Sequence, residues 1–71
     1  MVPIIMSKPG DEVRVVKVGG TPEVKKHLED LGFVQDTPVE IIQSCDGNMI
    51  VRIKDSKLAI TRSMAEKIRV R

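Results

Sequence analysis

The sequence predicts a mainly β domain with one short helix: a small, partly open barrel of five short strands. The helix falls between the first and second strands, and a helical turn precedes the last. Three observations carry this. Short runs of alternating apolar and charged residues recur, punctuated by Gly, Pro and Asp. Phe33 is the only aromatic residue, so Ile, Val, Leu and Met must fill the core, and the β-branched ones favour strands. The 71 residues form one domain (1–71), a size at which folding buries only about 60% of the unfolded surface. Five strands in so small a chain are best satisfied by a barrel, which removes most open edges.

Each element follows from local chemistry. Ser7-Lys8-Pro9-Gly10-Asp11 is a turn, with Pro fixing one φ and Gly supplying the unusual one. Glu12 to Val18 is the first strand, and its alternation breaks at Val15-Val16, which marks a bulge or burial on both faces. After Gly19-Gly20, Thr21 is an N-cap, Pro22 suits the first helical position, and Glu23 complements the positive helix end. Val24, Leu28 and Leu31 form one apolar stripe, and Gly32 is placed to take the left-handed conformation that ends the helix. Gln35 to Pro38 turns the chain into a strand over Val39–Gln43; a loop spans Ser44–Asn48, and Met49–Lys54 is the next strand. Asp55-Ser56 is expected as a two-residue hairpin turn leading to Lys57–Ile60. Thr61 to Lys67 is a helical turn with Ser63 and Glu66 spaced as a capping box, and Ile68 to Val70 is the last strand.

Composition excludes several classes of function. With 41% apolar and 31% charged residues the chain is that of a folded soluble domain. The apolar run Val2–Met6 is too short for a signal peptide or a membrane span. A lone Cys45 forms no internal disulfide and fits a reducing cytosol. The formal charge of +2 hides an asymmetry: residues 1–45 carry five Lys/Arg against seven Asp/Glu, residues 46–71 seven against three. A solvated, charge-mixed surface is the plain reading; a basic face for an acidic partner, anionic lipid or nucleic acid is the sharper one.

Lys8-Pro9-Gly10, Leu28-Glu29-Asp30-Leu31-Gly32-Phe33-Val34, Thr37-Pro38-Val39-Glu40-Ile41-Ile42, Leu58-Ala59-Ile60 and Ala65-Glu66-Lys67-Ile68-Arg69-Val70 occur in order. In this set, from about Lys8 to Val70, the chain resembles the FeoA family of bacterial ferrous-iron uptake. The resemblance implies an SH3-like barrel. It also implies a cytosolic, non-enzymatic accessory role and a partner, the FeoB membrane permease with its cytosolic GTPase domain. The membrane would then be reached only through that partner, and any homo-oligomer would be weak. The chain departs from the family in having Asp36 and Asp55 where Gly is usual, a short Cys45–Asn48 loop, and Thr61 with Arg62 one place after the usual arginine. Asp tolerates left-handed geometry, so both Gly-to-Asp turns can survive.

Chemistry has few candidates. A nucleophilic Cys45 would need a base beside it, and His27 is the only histidine. Iron(II) favours imidazole and carboxylate donors; Glu23 and His27 share one helix face at i and i+4, flanked by Lys26 and Asp30. Two ligands bind weakly, so no tight metal site and no cofactor are expected, and a solvated helix face is the simpler reading. Gly19-Gly20 lacks the Lys-Ser/Thr of a phosphate-binding loop. Arg52, Lys54, Lys57, Arg62, Lys67, Arg69 and Arg71 could line one basic side. That suits a stand-alone relative of the barrel found on iron-dependent repressors, binding nucleic acid or a peptide. Single-strand recognition, however, relies on aromatic platforms that this chain lacks. The helix end is the stronger binding signal: Leu28, Leu31, Gly32 and Phe33 are expected to form an apolar docking edge, with Leu28 and Phe33 partly exposed.

Overall fold

The barrel bends at its first long strand. The computed structural model describes residues 1–71. It contains β1 (Val2–Pro3), a 3₁₀ turn (Ile4–Met6), β2 (Glu12–Val18), α1 (Pro22–Asp30), β3 (Pro38–Cys45), β4 (Asn48–Ile53), β5 (Ser56–Ile60), α2 (Arg62–Ala65) and β6 (Ile68–Val70). The N-terminal half of β2 pairs with β3 (Val13 opposite Val39), and its C-terminal half pairs with β6 (Val18 opposite Ile68). Between them the register slips at Val15–Lys17, so Val16 is the extra residue of a bulge, at the point where the alternation breaks. That bulge lets one strand serve two sheet segments. The strand order is β1-β6-β2-β3-β4-β5, all antiparallel, with β1 and β5 as free edges.

There are six strands, not five. The additional one is β1, whose Val2 lies opposite Val70. The 3₁₀ turn after it sends Ile4 fully into the core. Two residues of strand with no alternation leave no local signal; the pairing exists because the two chain ends meet.

Both β-hairpins close on two residues with positive φ. Cys45 pairs with Asn48 across Asp46-Gly47 (φ 53° and 86°), so β3 runs two residues past its expected end. Ile53 pairs with Ser56 across Lys54-Asp55 (φ 50° and 65°). The second turn therefore sits one residue earlier than Asp55-Ser56. Both registers put the same side chains inward, so alternation cannot choose between them. The observed one keeps five ladder pairs, ending with Met49 opposite Ile60.

Helix ends follow the expected chemistry with one change. Thr21 Oγ1 accepts from the Val24 N–H at 3.3 Å and Pro22 opens α1. The cap of α2 is Thr61, whose Oγ1 accepts from the Met64 N–H at 3.2 Å, and not Ser63 with Glu66. Fourteen apolar residues from every strand but the first, both helices, the 3₁₀ turn and Phe33 make one core. No buried side-chain nitrogen or oxygen lacks a hydrogen-bond partner.

Gly32 has φ +113°. A Cβ there would lie 3.4 Å from Ile53 Cδ1, and a β-branched residue is a strong outlier at positive φ. Gly32→Val is expected to cost about 1–3 kcal/mol, a large share of the stability of so small a domain. Thermal melts of the variant and wild type check this, and equal midpoints would show that the position tolerates a side chain.

Candidate partner-docking site at the end of the helix

The chain leaves α1 through a tight hydrogen-bonded reversal. The Gly32 N–H donates to the Glu29 carbonyl at 3.0 Å, and the Phe33 N–H donates to the Leu28 carbonyl at 3.1 Å. With the positive φ of Gly32 these two bonds form a Schellman motif, in which an apolar residue after the glycine commonly meets an apolar residue in the last turn. Here those residues are Phe33 and Leu28. Both are 0% exposed and belong to the core cluster.

This corrects the expected docking edge. Leu28 and Phe33 are not partly exposed: the reversal folds both against the barrel. Gly32 is buried with them, while Leu31 is half-buried against the core. The signal was present in the spacing. A glycine four residues after Leu28 and directly before Phe33 marks the two partners of the motif.

What remains accessible is a cleft of about 180 Å³ between α1, β2 and the segment after Phe33. Val16, Lys17, Lys25, Glu29 and Val34 line it, with Phe33 at its floor. Val34 is 38% exposed and Val16 half-buried. Neither was expected from sequence as a docking residue. Val16 is the bulge residue, and the broken alternation located it without saying which way it faces. Val34 differs from Phe33 by one position, on the solvent side of the reversal.

Asp36 follows this segment at φ 67°, a left-handed turn that Asp accommodates, and Asp55 does the same at φ 65°. Asp36 is held by both chain halves. The Arg14 guanidinium donates to its carbonyl and that of Arg71 to its carboxylate, each at 2.8 Å.

Of the seven C-terminal cations, four have their heads engaged within the chain. Arg52 pairs with Glu40 and Arg71 with Asp36, Arg69 donates to the Glu66 carbonyl, and Lys67 to Ser63. Arg62 packs its side chain along Gly47. Glu23 and His27 lie on an exposed face of α1, and no group of three or more His, Cys, Asp or Glu comes together anywhere in the structure. Cys45 lies exposed at the end of β3, not in a loop, while His27 is on α1. No helix is long and apolar enough to cross a membrane.

The FeoA domain pattern matches residues 2–71, almost the whole chain. The chain belongs to the FeoA family. A protein of Methanocaldococcus jannaschii provisionally named Fe(2+) transport protein A is 31% identical over 70 residues, covering 99% of this chain and 85% of the relative. The crystal structure of an iron uptake regulatory protein (FeoA) superposes with a TM-score of 0.92 at 24% identity, covering 99% of this chain and 95% of the other. Stenotrophomonas maltophilia FeoA, solved with zinc and described as an SH3 domain protein, superposes at 0.86 with 18% identity, covering 100% and 91%. The fold is SH3-like, as the resemblance implied, and the family is associated with ferrous-iron transport.

Two predictions follow from the burial pattern and the ligand inventory. Leu28→Ala and Phe33→Ala are each expected to lose about 2–5 kcal/mol of stability, read as lowered denaturant midpoints; native-like midpoints would return both residues to the surface. Anaerobic Fe(II) calorimetry on the monomer is expected to show only weak binding, reduced further by His27→Ala. Stoichiometric tight binding that survives that change would show a ligand set not built on Glu23 and His27.

Proposed function

We propose that this protein is a cytosolic, non-enzymatic accessory of ferrous-iron uptake. It docks on the cytosolic part of an FeoB-like GTPase-permease through the cleft at the end of α1. Membership of the FeoA family over residues 2–71 is the observation that carries this reading. The cleft supports the choice of surface. It offers two apolar residues, Val16 and Val34, framed by Lys17, Lys25 and Glu29. That is the composition of a small docking site that combines a limited apolar contact with charges that set orientation and on-rate.

Docking stabilises the assembled permease rather than completing its GTPase site. A trans-acting arginine must project freely into the nucleotide pocket of its partner. Four of the five arginines here have their guanidinium groups held by their own chain, Arg14 and Arg71 at Asp36, Arg52 at Glu40 and Arg69 at Glu66, and Arg62 lays its side chain along Gly47 instead of standing on a projecting loop.

Val34→Asp tests the surface. Val34 is exposed, so the variant is expected to melt like wild type. Its affinity for the purified cytosolic region of the permease is expected to fall by about tenfold or more, as for an apolar contact worth about 1.4 kcal/mol. Unchanged affinity would remove the cleft from the interface. No binding by the wild-type protein would remove the partner.

A further inference from the structure

The outer face of the sheet carries a charge pattern that docking through the α1 cleft leaves unused. One row of cross-strand neighbours runs over four strands: Glu12 opposite Glu40, Glu40 opposite Arg52, and Arg52 opposite Lys57. All four point away from the core, since their chain neighbours Val13, Val39, Ile41, Val51 and Ile53 point inward. The order is two carboxylates, then two cations. Like charges directly opposite each other destabilise a sheet, and this row holds two such pairs side by side, Glu12 with Glu40 and Arg52 with Lys57. Only the central contact, Glu40 to Arg52, is an ion pair, at 2.9 Å, with each side chain 45% exposed.

Beside this row lies an apolar one. The slip between Ile41 and Gln43 puts Ile42 and Gln43 together opposite Ile50, and Ile50 is opposite Ala59. Ile42 and Ile50 are half-buried and Ala59 is exposed. A groove of about 250 Å³ runs along this row to Cys45 and Asn48 at the hairpin end.

We infer that this face binds a second copy of the chain, about a two-fold axis lying in the interface, parallel to the strands and between β3 and β4. That operation reverses the charge row. Glu12 of each copy meets Lys57 of the other, and Glu40 meets Arg52, so all four charges find opposite partners and both like-charge pairs are relieved. The same operation lays the apolar row against its own counterpart. An axis along the row, across the strands, would instead set Glu12 against Glu12 and Lys57 against Lys57. The occupant is thus specified by charge: the face is complementary to itself in one orientation. The contact is small and belongs to the weak, transient class of interfaces. It shares no residue with the cleft at the end of α1, so it does not depend on the proposed permease partner.

Sedimentation equilibrium over a wide concentration range tests this, with variants that reverse the outer charges. Wild type is expected to dimerise weakly, and less so in high salt, which screens the pairs. Lys57→Glu and Glu12→Lys should each weaken self-association at least about tenfold, because each places two like-charge contacts in the dimer. Mixing these two variants should restore a dimer, now a heterodimer, and the double variant E12K/K57E should dimerise like wild type. Glu12 and Lys57 are exposed, so the variants stay folded, and each removes one like-charge pair within its own sheet, so their melting is at or above that of wild type and is measured alongside. Sheets packed face to face at about 10 Å, with strands about 4.8 Å apart, put the two Cys45 Cα atoms roughly 11 Å apart. A short bismaleimide should therefore trap the wild-type dimer, and its yield should fall with Lys57→Glu. A strictly monomeric wild type would overturn the proposal. So would single variants that associate as well as wild type, or a failure of the mixed and double variants to recover the dimer.

Discussion

The reversal at Gly32 is the constraint on which the rest of this structure depends. Two backbone hydrogen bonds, Gly32 to Glu29 and Phe33 to Leu28, turn the chain out of the helix and drive Phe33 and Leu28 into the barrel together. A fully buried residue of this size contributes about 1.5–3 kcal/mol. In a core of fourteen residues with a single aromatic ring, those two supply a substantial part of the stability. The same reversal sets where β3 begins. It is followed by the left-handed turn at Asp36, whose carboxylate and carbonyl are gripped by arginines from β2 and the C-terminus. The helix end, β2 and the C-terminal end of β6 are thus tied at one corner.

Spending the best apolar side chains on that corner limits what is left for recognition. Leu28 at the centre of the helix stripe is consumed by the core, and the surface around it offers only Val34 and the half-buried Val16, Val24 and Leu31. A docking site of this kind relies on shape and on the charges around it more than on apolar area. The arginines follow the same economy. Four of the five have their heads engaged within the chain, which suits a protein that presents a rigid surface rather than a reaching side chain.

Two separate surfaces then emerge from one small barrel. The cleft at the end of α1 is built by β2 and the reversal, while the outer face is built by the β2–β5 ladder and its charge row. The bulge at Val16 shapes the first and the bulge at Ile42 the second. In each case one extra residue re-aims side chains that strict alternation would have placed elsewhere.

Local chemistry was sufficient wherever a residue's own backbone preference decided the outcome. The strand Glu12–Val18 and its bulge, the Thr21 cap, Pro22 at the helix start, the left-handed Gly32 and the Asp-tolerant turns at Asp36 and Asp55 were all legible in the sequence, and the family with them. Tertiary structure alone decided the rest. β1 exists because Val2 reaches Val70 across the whole chain. The hairpin turn falls at Lys54-Asp55 because two registers with identical faces differ only in how much ladder they complete. Leu28 and Phe33 are buried because the barrel lies where the reversal points them. Periodicity shows which side chains share a stripe, but the depth of burial depends on what packs across from it, and that is settled only when distant segments meet.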